Sequence, residues 1–525
     1  MSDPTVPING AQSMIRTLVG SGVDVCFTNP GTSEMHFVAA LDTVPEMRGI
    51  LCLFEGVVTG AADGYGRMAD RPAGTLLHLG PGLGNGLANL HNARRGHTPV
   101  VNIVGDHATY HKQYDAPLDS DIDAIASAVS GWTRRSVTPD SIASDTAEAV
   151  YAAMGPPGQV ATLILPADSS WSPAAGVAAR RPPRVPEVVP TDRIAEVAKA
   201  IRSGQPVAFL IGGRAMRADG LLAAARVASE SGARLLSETF PSRQERGAGL
   251  PDVERLAYLA EFAQMQLQDA RHLVLVDAAA PVSFFAYPDK ASVLSPDDCE
   301  IHVLASGAED PVGALLALAD ELGAPPGVET TRPGRPGRPT GALTAETFGA
   351  AVGALLPEDA IVVDEANTSG LYVPGMTAGG PRHDWLCLTG GSIGIGLPLA
   401  TGAAVAQPDR KVLCLQADGS AMYTLQALWT MAREQLDVVT VIANNGSYAV
   451  LNMELSRVGA GAGGPKARAM LDITDPDLDF VSLAKGMGVP ATRATTAEEL
   501  TSQLERALAH EGPALIDAKV PALGL

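Results

Sequence analysis

The sequence predicts an α/β protein of three domains, each a doubly wound, mostly parallel sheet flanked by helices. Three observations lead there. At 525 residues the chain is too long for one core, and at about 100–200 residues per domain it holds about three. Two Pro-rich stretches, RRPPRVPEVVPTDR at 180–193 and GAPPGVETTRPGRPGRPTG at 323–341, can continue neither a helix nor a central strand. They separate units expected at 1–180, 191–325 and 342–525. Within each unit, short apolar runs alternate with helical patterns, as parallel βαβ layers do.

In the first unit the strands read VDVCFT, GILCLF, GTLLHL, PVVNIVG and VATLILP. The middle unit opens with PVAFLIGGRAM, a strand running into a Gly-Gly turn. It lacks the spaced G-x-G-x-x-G of dinucleotide sites and a well-placed acidic residue on a second strand. In the third unit the strands are AIVVDE, WLCLT, KVLCLQA, VVTVIANN and ALIDAKV.

Composition narrows the function. A formal charge of −20 works against nonspecific binding to nucleic acid or an anionic membrane surface, both polyanions. The five cysteines are scattered without a CxxC pair, mostly within apolar runs, and read as reduced core residues. With no apolar run of 18 residues and no basic-then-apolar segment at the start, the expected location is the cytoplasm.

Open parallel sheets bind ligands beyond the carboxyl ends of their strands, and Asp418 and Asn445 stand there. They are 27 positions apart, about one strand–helix–strand unit, with TLQALWTMAREQ as the expected crossover helix. A carboxylate, an amide oxygen and the backbone carbonyl of Ser447 would converge as three hard oxygens, which suit Mg²⁺ better than Zn²⁺. The plainer reading is an Asp capping a helix and an Asn-Gly turn. Glu55 ends GILCLF where a helix begins, so it is expected at a strand's carboxyl end with little water nearby; alternatively it only favours a helix N-terminus. His78, ending GTLLHLG, reads alone as a satisfied core histidine.

A rival chemistry is also legible. GGSIG at 390–394 fits G-x-S-x-G after an apolar run, and Ser392, Asp418 and His510 follow the chain order of an α/β-hydrolase triad. His510, however, ends the helical stretch TAEELTSQLERALAH, an ordinary place for a cation.

ADGS at 417–420 followed by NNGSY at 444–448 resembles the motif of the thiamine diphosphate-dependent decarboxylase and acetolactate synthase family. NPGTSE, LFEGVVTGAADGYGRM, LHLGPGLGNGLANLHNA and GGSIGIGLP follow the family's order over essentially the whole chain, nearest to the benzoylformate decarboxylases. The resemblance implies a thiamine diphosphate-binding fold and an enzyme that decarboxylates a 2-oxo acid through an enamine. That enamine either gives an aldehyde or is captured by a second carbonyl compound, as in acetolactate synthases. Asp418, Asn445 and Ser447 would hold Mg²⁺. Asn367, Thr368, Gly391, Ile393, Gly419, Ser420 and Tyr448 would contact the cofactor, Gly391 through its carbonyl to the aminopyrimidine. Glu55 would be the activating glutamate, His78 an active-site histidine and Thr32 the binder of the substrate carboxylate. The family also implies a homodimer or homotetramer with the cofactor between subunits, and a middle domain that binds FAD in some members and nothing in others; here the expectation is no FAD.

The sequence departs from that pattern at two places. Ala417 replaces the motif's first glycine, and Ala286 falls where a second pocket histidine is expected, with Tyr287 beside it as a candidate substitute. The paired histidines of pyruvate decarboxylases fall near Pro117 and Leu118, which predicts an apolar wall there. These changes also motivate a reading as a non-catalytic binding homologue, against which Glu55, Asp418 and Asn445 argue.

Overall fold

The fold is described from a computed structural model in which residues 8–461 and 463–522 are described; the outer limits of the first and third expected units fall outside them. The first sheet contains β1 (Val25–Asn29), β2 (Arg48–Leu51), β3 (Ala73–Leu77), β4 (Val100–Asp106), β5 (Trp132–Arg135) and β6 (Val160–Pro166), in the order β2-β1-β3-β4-β6-β5. Every pairing is parallel. The five expected strands are present. β5 was not legible because Trp132–Arg135 carries charge and is half-buried on an edge.

The next six strands are β7 (Val207–Ile211), β8 (Arg234–Ser237), β9 (Gln244–Arg246), β10 (Glu254–Arg255), β11 (His272–Val276) and β12 (Glu300–Ala305). Five form a parallel sheet ordered β10-β8-β7-β11-β12. β9 leaves it. It pairs antiparallel with β14 (His383–Cys387), placing a segment expected in the middle unit at the edge of the third sheet. That sheet is completed by β13 (Ile361–Glu365), β15 (Val412–Ala417), β16 (Val438–Asn444), β17 (Ala491–Ala494) and β18 (Ala514–Lys519), in the order β17-β18-β16-β15-β13-β14-β9.

Strand ends and helix starts follow local chemistry. After a single turn at Asp418–Ala421, the crossover helix between β15 and β16 runs over Ala427–Arg433, shorter than TLQALWTMAREQ; Thr424 lies outside it, its hydroxyl donating to the Gly394 carbonyl at 2.7 Å. Thr496 and Glu499 form a capping box that starts the Ala497–Leu508 helix, which ends two residues short of His510.

The first and third sheets share one apolar core, through the Glu55–Ala69 and Gly396–Ala406 helices. Glycines allow their backbones to touch: a β-carbon on Gly64 would stand 2.1 Å from the Leu399 carbonyl oxygen, and one on Gly60 would stand 2.6 Å from Pro398. A buried bidentate pair, Arg67 to Asp63 at 2.7 and 2.6 Å, sits in the same interface. Arg67 also reaches across to the Cys387 carbonyl at 2.6 Å and Thr389 at 2.9 Å, so its charge and donors are satisfied within the interface.

Candidate active site

In the first sheet the chain runs from β1 to β2 on one side and to β3 on the other, so β1 and β3 flank the switch point where such sheets bind ligands. Thr32 follows β1 in a short 3₁₀ turn and is exposed; His78 follows β3; Glu55 follows β2 and opens its helix. Three adjacent strands therefore deliver the three expected catalytic residues to one end of the sheet.

Their packing is close. A β-carbon on Gly82 would lie 3.3 Å from Glu55 Oε1 and 3.4 Å from His78 Cβ, so one turn of the Leu79–Arg95 helix separates the two. A β-carbon on Gly31 would stand 2.2 Å from the His78 ring, which brings the turn bearing Thr32 directly onto the imidazole. Glu55 is 8% exposed, and Asn85 Nδ2 donates to its Oε2 at 3.0 Å.

Sequence reasoning missed Glu34 as a site residue although it ends NPGTSE. Its Oε2 accepts from the Gly31 N–H at 2.9 Å and lies 2.8 Å from His78 Nδ1, while Oε1 is buried without a partner. Burial pushes the Glu34 carboxyl above its ordinary range against the opposing pull of His78. With Nδ1 occupied, Nε2 is the His78 nitrogen left to face a ligand.

The third sheet repeats the geometry. β13 and β15 flank its switch point, Asn367 following one and Asp418 the other. Asn367 holds a left-handed φ of 51° and donates to Ser420 Oγ at 3.2 Å. Thr368 is half-buried beside it in the same 3₁₀ turn. Asp418 is buried, its Oδ1 accepting from the Gly419 N–H at 2.8 Å and its Oδ2 from the Gly446 N–H at 2.6 Å. Burial raises its carboxyl above the ordinary range, and those N–H groups only partly offset it.

Within the Asn444-Asn445 pair the roles divide. Asn444 turns into the sheet to Asp517 at 2.9 Å, whereas Asn445 stays at the strand end, donating to Ser369 at 3.2 Å and accepting from the Ser447 N–H at 3.0 Å. The Ser447 hydroxyl is committed to the Leu471 carbonyl and Asn452. The Tyr448 ring lies on Gly419, where a β-carbon would come within 2.4 Å of it. Ala417 sits at φ −77°, a conformation that needs no glycine, so its methyl is tolerated.

The 389–394 loop is clamped from both sides. Asn92 donates to the Ser392 carbonyl at 2.8 Å and accepts from the N–H groups of Gly390 and Ser392, while Glu365 accepts from those of Gly394 and Gly396, each at 2.7 Å. Gly391 adopts φ +76° with open space around it, and Ile393 packs half-buried against the shared core. Neither clamp residue stood out in the sequence, since each lies hundreds of positions or a full strand from what it holds.

The hydrolase triad is not assembled. The His510 carbonyl accepts from Lys411, just before β15, whereas Asp418 follows β15, so the two stand at opposite ends of the sheet. In the middle unit Ala286 is exposed. The neighbouring Tyr287 phenol is pushed up to about 12 by burial and by its hydrogen bond to Glu454. Leu118 is exposed.

Residues 8–127 match the thiamine pyrophosphate enzyme N-terminal TPP binding domain, and residues 373–518 match the C-terminal TPP binding domain. The chain is 60% identical, over 98% of its length and 100% of the relative's, to a Mycobacterium tuberculosis protein named "Putative acetolactate synthase large subunit IlvX". This chain is a thiamine pyrophosphate enzyme. It is also 31% identical to the benzoylformate decarboxylase of Pseudomonas aeruginosa, over 94% of this chain and 96% of the relative. The thiamine diphosphate-dependent 4-hydroxybenzoylformate decarboxylase of Rhodococcus jostii RHA1 superposes with a TM-score of 0.83 at 24% identity, covering 98% of this chain and 99% of that one, and so shares the fold. Among the described residues, no helix of this thiamine pyrophosphate enzyme is long and apolar enough to cross a membrane.

Proposed function

We propose that the protein decarboxylates a 2-oxo acid with thiamine diphosphate and Mg²⁺, and then either releases an aldehyde or joins the acyl fragment to a second carbonyl compound. The observation that carries this reading is the delivery of Glu55, His78 and Thr32 to one switch point and of Asp418, Asn445 and Asn367 to another. The donor set fits the metal. A carboxylate destabilised by burial, an amide oxygen and the Ser447 carbonyl are hard ligands that a small divalent cation would stabilise.

Asn367, Thr368, Gly419, Ser420 and Tyr448 would hold the diphosphate end, with Gly391 and Ile393 along the rest of the cofactor. When bound, the thiazolium supplies an electron sink for the carbon that loses CO₂. This chain's residues supply the rest. Glu55 would share a proton with a pyrimidine nitrogen while Asn85 steadies its second oxygen. Thr32 would orient the substrate carboxylate, and His78 would move a proton at Nε2 while Glu34 fixes the ring through Nδ1.

A benzoylformate decarboxylase-like outcome is the first reading. An acetolactate synthase-type carboligation is the second, favoured by the name of the relative at 60% identity and by the exposed Ala286. The middle unit would be structural: the Asp277 and Glu238 carboxyl groups face the Gly212-Gly213 turn and take its N–H donors, Asp277 from Arg214 at 2.8 Å and Glu238 from Gly213 at 3.5 Å, where a nucleotide phosphate would need them. The active form would be a cytoplasmic homodimer or homotetramer with the site between subunits. Incubation with a panel of 2-oxo acids, with and without an acceptor aldehyde, tests this. The expected result is CO₂ release with an aldehyde or a hydroxyketone; cofactor-loaded enzyme that releases no CO₂ from any 2-oxo acid would overturn it.

A further inference from the structure

His272, Glu300 and His302 form a second constellation, on the middle sheet and at the opposite end of its strands from the Gly-Gly turn. His272 begins β11; Glu300 and His302 lie on β12, the edge strand, which pairs only with β11. In register, His272 stands opposite Glu300 and Val274 opposite His302. Alternation along the strands puts all three side chains on one face, that of the Thr191–Ile201 helix, where Val274, Val276 and Leu304 are core.

The distances are those of a ligand set. His272 Nδ1 and His302 Nε2 are 3.0 Å apart, and Glu300 Oε2 lies 3.6 Å from the first and 3.9 Å from the second. The point equidistant from three atoms so spaced is about 2.1 Å from each, the bond length of Zn²⁺ to imidazole nitrogen and carboxylate oxygen. Among the described residues this is the one group of three His, Cys, Asp or Glu side chains whose ligand atoms all lie within 4.8 Å of one another.

The surroundings favour a cation. The two imidazole side chains are 11% and 15% exposed, whereas Glu300 is 67% exposed, which leaves an open side for water as a further ligand. The carboxyl groups of Glu300 and Glu196 both lie close enough to the His302 ring to act on it electrostatically. The remaining ring nitrogen of His272 faces Ser203 Oγ at 3.5 Å, and that hydroxyl is fixed by the Gln205 N–H at 3.2 Å. An outer contact of this kind orients the ring, and a metal would replace the hydrogen bond that Nδ1 now shares with His302 Nε2.

We propose that His272, Glu300 and His302 bind one borderline divalent transition metal ion, Zn²⁺ in the first place, and that this ion staples the edge strand β12 to β11. The site is separate from the cofactor region in both place and chemistry. Nitrogen donors select Zn²⁺, Co²⁺ or Ni²⁺, while the all-oxygen set at Asp418 selects Mg²⁺.

The test is calorimetric titration of Zn²⁺ into the full-length protein held in excess thiamine diphosphate and Mg²⁺, which keeps the oxygen site filled. One Zn²⁺ per chain is expected in the wild type, with binding at least 10-fold weaker in His302→Gln and in Glu300→Gln. Glu300 is exposed, so its variant keeps the test valid if His302→Gln misfolds. Co²⁺ in place of Zn²⁺ should give the visible absorption of a low-coordinate nitrogen-ligated ion. Zn²⁺ should also raise the melting temperature of the wild type and not of the variants. Absence of Zn²⁺ binding, or equal binding by wild type and both variants, overturns the proposal.

Discussion

Gly402 and Ala61 meet backbone to backbone: a β-carbon on Gly402 would stand 1.8 Å from the Ala61 carbonyl oxygen. This contact joins the helix that Glu55 opens to the helix that follows the clamped 389–394 loop. Backbone on both sides leaves no flexible side chain to yield. Gly402→Ala is therefore expected to cost about 1–3 kcal/mol through overpacking, read as a lower midpoint in denaturant. A midpoint equal to wild type would show that the two helices can part without penalty.

Glu55→Gln should fold and retain cofactor, because the amide is nearly isosteric and Asn85 can still pair with its oxygen. Proton sharing with the pyrimidine is lost. Hydrogen–deuterium exchange at the cofactor's C2 should slow about 10²–10⁴-fold, the usual cost of removing a general acid–base group. Exchange at the wild-type rate would reduce Glu55 to a helix-terminal residue.

Asp418→Ala removes the one side-chain carboxylate of the oxygen set and leaves the Gly419 and Gly446 N–H groups without an acceptor. Calorimetry with thiamine diphosphate is expected to show loss of Mg²⁺-dependent binding. Retention of full affinity would dismiss the metal reading.

Glu238 gives a pH signature. Burial, with Asp277 adding to it, pushes its carboxyl up to about 8, and the Gly213 N–H only partly opposes this. The folded state thus holds this proton more tightly than the unfolded chain. Its contribution is present below the ordinary glutamate range and is lost as pH rises through about 8. Glu238→Gln should lose none of its stability over that window. Its melting temperature, compared with wild type, should gain by a few degrees between pH 5 and pH 9; parallel curves would contradict the assignment.

Much of this was legible beforehand because buried parallel strands leave continuous apolar runs, and because ligand-facing residues must follow them. Thr32, His78, Glu55, Asp418 and Asn445, the residues proposed to face ligands, each follow such a strand. Supporting contacts did not declare themselves. Glu34 under His78, Asn92 under the Ser392 loop and Glu365 beneath Gly394 are set by tertiary approach between distant segments, which no local period encodes. β9 escaped for the same reason. Three residues with two charges carry no strand signal until β14 offers them a partner.

That excursion of β9 affects how the chain can be cut. A fragment ending after the first linker and resuming at the second would remove the middle sheet and, with it, the outermost strand of the third. The unpaired edge of β14 would then be open to self-association, including Trp385, which Arg246 now covers with its guanidinium at 5.1 Å. Shortened versions meant to keep only the catalytic halves should carry residues 244–246 along, or replace them with a grafted strand.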